Sequence, residues 1–242
     1  MKLYLKECIS FIDDGSIDIK KELKQKYKID TRRQDKFIHL ALYGGQLLKE
    51  KCKIKEEDEL YVTSGIGNAD IVQKTNTYMY KENQPLKLFD FINLLGNTTS
   101  YYVAKSLGMK GKNIFQISDS FTYINTLLSA YSSILNSKKD VIICTIDLQS
   151  EPREIIKRVM GIDENVELNS CVSYQKLSLN SDDAIAQIEF NLDEEVTCKQ
   201  IIKPFETYTS YLINKTVKEK KDLLHVEIFE NKKRTIKIKS LK

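Results

Sequence analysis

Short apolar runs and longer stretches of helical periodicity take turns along this chain. Apolar runs or alternating patterns predict strands at residues 3–11, 59–64, 113–117, 140–146 and 184–190. Apolar positions at helical spacing predict helices at 35–51, 86–107 and 119–137. Strands separated by helices indicate βαβ units. We therefore predict an α/β fold with a mixed, mostly parallel sheet and helices on both of its faces.

The C-terminal part of the chain has a different pattern. Residues 205–217 predict a helix, and residues 223–229 with 235–238 predict a β-hairpin. The polar stretch 149–180 shows no periodicity and predicts a long irregular excursion over the sheet. No internal repeat is visible. We expect one domain at 1–190, with a small helix and hairpin extension at 191–242 packed on it.

The charge balance argues against a nucleic-acid partner. Lys and Arg number 38 against 34 Asp and Glu, and the net charge of +4 is spread along the chain rather than concentrated on one face. One basic run lies near the C-terminus: Lys232, Lys233, Arg234, Lys237, Lys239 and Lys242. It is either a solvated strand face or a docking surface for an acidic partner.

Cysteine and histidine usage gives no metal or redox motif. The five cysteines include no Cys-x-x-Cys pair and only two histidines are present, so we expect no metal site and no cofactor. No run of about eighteen apolar residues occurs, and the N-terminus lacks the apolar segment of a signal peptide. We therefore expect a cytoplasmic protein with no membrane segment.

Four local features have ordinary structural explanations. Gly65-Ile66-Gly67 follows a strand but lacks the third glycine of a dinucleotide motif, because Asp70 stands there, so we interpret it as a turn. His39 lies within a predicted helix and His225 within the hairpin, and neither has a nucleophile close to it in sequence. Cys144 lies in a buried strand, where a thiol keeps its proton, so we expect it to be inert.

Residues 85–147 carry a series of short motifs. In chain order these are Phe91-Ile92-Asn93, Asn97-Thr98-Thr99-Ser100-Tyr101-Tyr102, Leu107-Gly108-Met109-Lys110-Gly111, Asn113-Ile114-Phe115-Gln116-Ile117-Ser118-Asp119-Ser120 and Lys139-Asp140-Val141-Ile142-Ile143-Cys144. In their order and spacing they resemble the thiolase-like β-ketoacyl synthases, and residues 182–189 resemble the last strand of the N-terminal half of that fold. The resemblance covers about residues 1–190 and implies a single five-stranded half of the thiolase fold.

This resemblance places Ser120 at the position of the family's acyl-accepting cysteine, with Phe121 as its neighbour. A condensing enzyme needs a partly ionised thiolate there, and a serine hydroxyl stays protonated unless a base lies beside it. The family's two catalytic histidines come from a C-terminal half for which this chain has too few residues. Asp119 and Ser120 are also expected to cap the helix that follows.

Ser118-Asp119-Ser120 is similar to the Ser-Asp-Gln of chain-length factors, which are cysteine-less partners of active ketosynthases. The resemblance implies a catalytically inactive subunit of fatty-acid or polyketide synthesis, paired with an active ketosynthase or with itself. An acyl carrier protein is a further candidate partner. The side chains expected to line an acyl tunnel or the subunit interface are Asn97, Tyr101, Tyr102, Phe115 and Phe121. For each aromatic ring, core packing is the alternative.

Two other functions are compatible with the sequence. In the first, Ser120 is the nucleophile of an acyltransferase or hydrolase, which requires a base within hydrogen-bond reach and has only His39 and His225 to supply one. In the second, the chain is a non-enzymatic homodimeric binding domain.

Overall fold

The computed structural model describes residues 1–118, 121–149, 157–158, 165, 169–195, 207–229 and 232–241, apart from the side chains of 193–195 and 229. Within these ranges one sheet carries helices on both faces. The strands are β1 (Lys2–Asp13), β2 (Glu59–Ser64), β3 (Asn113–Ile117), β4 (Val141–Asp147), β5 (Ser170–Ser178), β6 (Ala186–Glu195), β7 (Leu223–Phe229) and β8 (Lys232–Ser240). The helices are α1 (Ile19–Gln25), α2 (Lys36–Lys51), α3 (Ala69–Asn76), α4 (Leu88–Leu94), α5 (Gly96–Leu107), α6 (Thr122–Ser137) and α7 (Tyr208–Lys218), with a π-helical turn at Thr77–Lys81.

The first five strands form the unit that the sequence predicts. Their order across the sheet is β3-β2-β4-β5-β1. β2 is parallel to β3 and β4, whereas β5 is antiparallel to both β4 and β1, so all but β5 point in one direction. The thiolase-like α/β class with a mixed, mostly parallel unit is therefore confirmed. The whole sheet has eight strands rather than five, because β6, β8 and β7 extend it beyond β1 by antiparallel pairing.

The fifth strand of this unit is not where the sequence indicates. Residues 170–178, expected to be irregular, form β5, and every one of them is buried. The strand expected at 182–189 is β6, which begins at Ala186 and pairs with the other edge of β1. The sequence pattern does not predict β5, because several of its buried side chains are polar and are satisfied by partners far away in the chain. Gln175 Nε2 donates to Asn214 Oδ1 at 2.7 Å, and Lys176 Nζ donates to Asp58 Oδ2 at 2.8 Å.

The three C-terminal strands repeat part of the first unit. In the first unit, α6 is followed by β4, and β4, β5 and β1 are neighbours in the sheet. In the second unit, α7 is followed by β7, and β7, β8 and β6 are neighbours in the same way. β1 and β6 meet antiparallel, with Leu3 opposite Ile188. An approximate twofold axis normal to the sheet therefore relates the two units. The second unit is shorter, since the described residues after β6 include no counterpart of β2 or β3.

Each face of the sheet has its own hydrophobic core. α2 and α5 cover the first face, where Leu40 and Val62 are fully buried. α6 and α7 cover the second face, where Tyr123 and Ile213 are fully buried. No described helix is long and apolar enough to span a bilayer.

The helix expected at 86–107 is two helices. The backbone turns at Leu95, whose φ of −74° and ψ of 115° are extended rather than helical. Thr98 Oγ1 donates to the Ile92 carbonyl at 2.7 Å and so ties the end of α4 to the start of α5. The short and polar helices α1 and α3 are also absent from the predicted elements, because they show too little apolar periodicity.

The Leu-Gly-x-x-Gly turn has a physical reason for each of its glycines. Gly108 ends α5 with a φ of 77°, a conformation that glycine adopts without strain. The Met109 N–H then donates to the Ala104 carbonyl at 2.9 Å. A side chain at Gly111 would overlap the carbonyl oxygen of Asp58. This close approach sets the connection from α5 into β3.

Candidate functional site

The turn between β3 and α6 is where the sequence places the family's nucleophile. Asp119 and Ser120 lie outside the described residues. Phe121, which directly precedes α6, has a φ of 50° and a ψ of 33°. A positive φ is uncommon for an aromatic residue and marks a strained turn. β3 ends at Ile117 and α6 begins at Thr122, which is the strand-to-helix order of a nucleophile elbow, and Phe121 has the strained backbone conformation.

The side chain of Phe121 packs at the N-terminal end of α6. It is 5% exposed and belongs to the second core. Arg234 on β8 places its guanidinium carbon 4.3 Å from the centre of the Phe121 ring. Arg234 also donates a hydrogen bond to Asn125 Oδ1, one turn into α6. The second unit therefore contacts this end of α6 through a cation that lies over an aromatic face.

His225 belongs to a buried polar cluster between α7 and β7. Its Nε2 lies 3.1 Å from Thr209 Oγ1 and 3.5 Å from Glu227 Oε1, and Thr209 donates to the same carboxylate. The three residues are at most 9% exposed. The structural role expected for His225 agrees with these contacts, because the ring is held among buried partners.

His39 has a structural environment of its own on α2. Its Nε2 lies 3.1 Å from the Thr31 carbonyl oxygen, and the residue is 8% exposed. Burial lowers the pKa of His39, so a neutral ring donates to that carbonyl. α2 and α6 cover opposite faces of the sheet. The sheet therefore separates His39 from the N-terminal end of α6.

The described cysteines are not activated. Burial raises the pKa of Cys144 to about 12 and that of Cys52 to about 11. Burial also raises the pKa values of Cys8 and Cys171 to about 12. Thiols with such pKa values are protonated at neutral pH and are poor nucleophiles. This agrees with the inert Cys144 that the sequence predicts; Cys198 lies outside the described residues.

Asp147 joins three segments at the carboxyl ends of β2 and β4. Its Oδ1 accepts hydrogen bonds from Ser64 Oγ and the Gly65 N–H, both at 3.0 Å. Its Oδ2 accepts from the Thr207 N–H at 2.9 Å and from Thr207 Oγ1 at 2.6 Å. Gly65-Ile66-Gly67 is thus a structural turn, as expected, and Asp147 fixes the start of α7 against it. Sequence reasoning missed this cluster because its members are far apart in the chain.

The residues expected to line a tunnel or interface lie on two sides of the sheet. Asn97 and Tyr101 are exposed, and Tyr102 is half-buried with its ring centre 5.4 Å from that of Tyr101. Phe115 packs on the first face. Phe121 packs on the second face. Phe115 and Phe121 therefore face different volumes within this chain.

A group of exposed large apolar side chains lies at the end of β3, an edge strand of the described sheet, and on or between α3, the π-helical turn, α4 and α5. We call it the β3-side surface, and it comprises Val72, Met79, Tyr80, Leu88, Phe89, Phe91, Leu95, Tyr101 and Ile117. Tyr80 is 80% exposed and Leu88 is 66% exposed. A group of large exposed apolar side chains of this kind favours an interaction site. Of these residues only Tyr101 is a site residue expected from the sequence.

An ion pair and two cation–π contacts connect the segments that carry the β3-side surface. Lys74 Nζ on α3 lies 2.8 Å from Asp90 Oδ1 on α4. The side chains of Lys74 and Lys87 both lie over the ring of Tyr78 in the π-helical turn, 5.7 and 4.9 Å from its centre. The segments that carry the β3-side surface are therefore fixed to one another before a partner binds.

The other side of β3 borders a polar groove of about 630 Å³ between the strand and α6. Ser133 Oγ donates to the buried Glu59 at 2.5 Å, and Lys112 Nζ donates to Ser133 at 2.8 Å. A hydrogen bond with Tyr61 raises the pKa of Lys112, so its cation is retained. Both sides of the edge strand are thus open to a partner.

Comparison with known proteins identifies the fold. No protein-family model and no curated protein matches the sequence. A structure of a ketosynthase in complex with its chain length factor from Xenorhabdus doucetiae matches with a TM-score of 0.71 and 11% identity, over 98% of this chain and 99% of the matched one. The chain has the ketosynthase fold.

Two further structures share the ketosynthase fold over part of their length. The ishigamide ketosynthase/chain length factor matches with a TM-score of 0.60 and 14% identity, over 74% of this chain and 54% of that one. A complex of a type II polyketide synthase acyl-carrier protein with its ketosynthase bound to the hexaketide matches with a TM-score of 0.52 and 10% identity, over 79% and 63%. This chain therefore spans nearly the whole of the matched Xenorhabdus doucetiae chain, but little more than half of the matched ishigamide chain.

Proposed function

We propose that this chain is a non-condensing subunit of acyl-chain synthesis that pairs with an active ketosynthase, in the manner of a chain-length factor. The observation that carries the proposal is the exposed apolar β3-side surface on an open edge of a ketosynthase-fold sheet. The match along the whole chain to one member of a ketosynthase–chain length factor complex supports it. In the proposed dimer, β3 pairs antiparallel with the corresponding strand of the ketosynthase.

The proposal assigns a role to each aromatic residue near β3. Tyr101 packs in the subunit interface, together with the exposed side chains of α3 and α4. Tyr102 and Phe115 border the acyl tunnel from the first face, and Phe121 closes the N-terminal end of α6, where a condensing enzyme has its cysteine. The protonated thiols of the described cysteines and the engaged ring of His225 support a subunit without condensing activity.

Mass measurement tests the pairing. The full chain and an active ketosynthase of the same organism are co-expressed, and the mass of the resulting species is measured by light scattering after gel filtration. We expect a heterodimer that Ile117→Lys or Leu95→Lys converts to separate subunits, because a charge at the centre of an apolar interface is desolvated without a partner. Leu241→Lys is the matched control, since Leu241 is 43% exposed at the other end of the sheet.

Three outcomes would overturn the proposal. The first is a chain that stays monomeric in the presence of the ketosynthase at micromolar concentration. The second is condensation of an acyl thioester with a malonyl thioester by the purified chain alone. The third is a homodimer that excludes the ketosynthase, which would favour a non-enzymatic binding domain.

A further inference from the structure

β7 has an inverted pattern of polar and apolar side chains. His225 and Glu227 point toward α7 and are buried. Leu224 is 61% exposed on the opposite face, and the half-buried Val226 and Ile228 share that face because side chains alternate along a strand. A solvated strand normally turns its polar side outward. An outer apolar stripe therefore indicates a face that another element covers.

The same face continues onto β8 as a basic stripe. Val226 pairs with Thr235 and Leu224 pairs with Lys237, so Thr235, Lys237 and Lys239 lie on the outside. Lys237 and Lys239 are exposed, and within the described ranges neither forms an ion pair. We call the apolar stripe of β7 and the basic stripe of β8 together the β7–β8 outer face.

Neighbouring acidic residues leave this basic stripe available. On β6, Glu189 lies opposite Lys237. Its Oε1 accepts a hydrogen bond from Gln187 Nε2 at 2.6 Å, and it is not within ion-pair distance of Lys237. The lysines can therefore meet carboxylates from another molecule.

The twofold relationship between the units indicates what shape belongs on this face. In the first unit, α2 packs across β4, β5 and β1 on the first face of the sheet. The equivalent strands of the second unit are β7, β8 and β6, and α7 contacts β7 and β8 on their inner side. Among the described elements, no helix packs on their outer side to a comparable extent. Within the described residues, no element of the second unit takes the position that α2 takes in the first, and a helix fits that position.

The partner at β3 cannot fill this position. β3 and β7 are the two ends of the eight-stranded sheet. Seven strand spacings separate them by roughly 34 Å. For the part of the chain that the structure describes, the β7–β8 outer face therefore stays uncovered when the β3-side surface is occupied, and a third molecule can reach it.

We propose that the β7–β8 outer face docks an amphipathic helix of an acyl carrier protein. The apolar side of that helix packs on Leu224, Val226 and Ile228, and its carboxylates meet Lys237 and Lys239. The choice of a carrier protein, rather than another acidic protein, rests on the function proposed above. The face itself rests on the inverted strand and on the unfilled helix position.

The test measures binding of a fluorescently labelled carrier protein, encoded beside this chain, by anisotropy. It is performed with the full chain alone and with its ketosynthase complex. We expect Lys237→Glu/Lys239→Glu to weaken binding at least tenfold and Leu224→Ser to weaken it severalfold, with unchanged melting temperatures. Binding should also weaken between 50 and about 300 mM salt, since exposed charges are screened. Lys20→Glu/Lys24→Glu on α1 is the matched control, with an equal charge change on another exposed basic surface.

Three results would overturn this inference. The first is carrier binding that the β8 variant leaves intact. The second is binding that only the α1 variant removes. The third is a second copy of the chain on this face, seen as a homodimer that Leu224→Ser dissociates. Ile117→Lys separates the two proposals, because it should break the ketosynthase complex while the chain alone keeps its affinity for the carrier.

Discussion

Arg234 and Phe121 connect the two units of the fold, because the guanidinium of one lies over the aromatic ring of the other at the N-terminal end of α6. The contact joins residues 113 positions apart in the chain and is completed by the bond from Arg234 to Asn125. It fixes the second unit against the turn at which ketosynthases carry their nucleophile. The energetic coupling of these residues can be measured directly.

Replacing Arg234 with alanine should lower the free energy of unfolding by about 1–2 kcal/mol. The change removes a cation–π contact and a hydrogen bond, each worth roughly 1 kcal/mol at a half-exposed site. Urea unfolding of the full chain measures it. Arg234→Lys keeps the charge but not the planar donor group. Its free energy of unfolding should therefore lie between those of the wild type and Arg234→Ala. Equal stability of all three proteins would contradict a coupling role.

Adjacent glycines in α2 should respond differently to alanine. A Cβ at Gly44 would lie 2.8 Å from atoms of Tyr174 and Val172, whereas one at Gly45 meets the Tyr174 hydroxyl at 3.3 Å and otherwise ordinary contacts. We expect Gly44→Ala to destabilise the protein by about 2 kcal/mol or more, since overpacking forces the core apart. Gly45→Ala should stay within about 1 kcal/mol of the wild type, because helix propensity favours alanine. Thermal unfolding of the two variants measures these stabilities. A larger loss of stability in Gly45→Ala than in Gly44→Ala would contradict the packing described.

The buried ion pair of Lys176 and Asp58 should show strong coupling. Lys176 Nζ lies 2.8 Å from Asp58 Oδ2, and both side chains are nearly inaccessible. Lys176→Met leaves a buried carboxylate without its cation and should cost about 3–5 kcal/mol. Asp58→Asn should lower the free energy of unfolding less in the Lys176→Met protein than in the wild type. A double-mutant cycle with additive effects would show that the pair is not coupled.

His39 should make stability depend on pH below neutrality. Its folded pKa lies below the ordinary value of 6.5, because burial disfavours the charged ring. The unfolded chain therefore binds a proton first as pH falls, so the contribution of His39 is present above about pH 6.5 and is lost below it. The stability difference between wild type and His39→Gln should shrink from pH 7 to pH 5. A difference that stays constant or widens would show that the folded pKa is not depressed.

The parts of the fold that follow from local pattern were predictable. The apolar runs of β2, β3 and β4 and the periodic helices α2 and α6 carry their signals in a few consecutive residues. β5 does not, because the buried polar residues Gln175 and Lys176 are acceptable only with Asn214 and Asp58 as partners. The internal twofold is also invisible in the sequence, since it is a property of strand order and not of residue identity.

Sequence reasoning led to the chain segment before α6, and the role of Ser120 there stays a prediction because Ser120 lies outside the described residues. Counting along the motifs leads to the turn at 120–121, and the structure places the positive-φ residue at Phe121. The contact of Arg234 with Phe121 could not be predicted from the sequence, because it depends on how the two units pack. The same holds for the exposure of the apolar side chains of α3 and α4. Tyr80, for example, is an ordinary aromatic residue in sequence and an exposed one in the π-helical turn.

The central position of β1 has a consequence for biosynthesis. β1 leaves the ribosome before its two neighbours in the sheet, β5 and β6, which begin at Ser170 and Ala186. At roughly 5–20 residues per second, about ten seconds or more pass between the emergence of β1 and that of its neighbours. A nascent chain must therefore keep this apolar ribbon from pairing elsewhere, which makes the growing polypeptide a natural client of chaperones that act during translation.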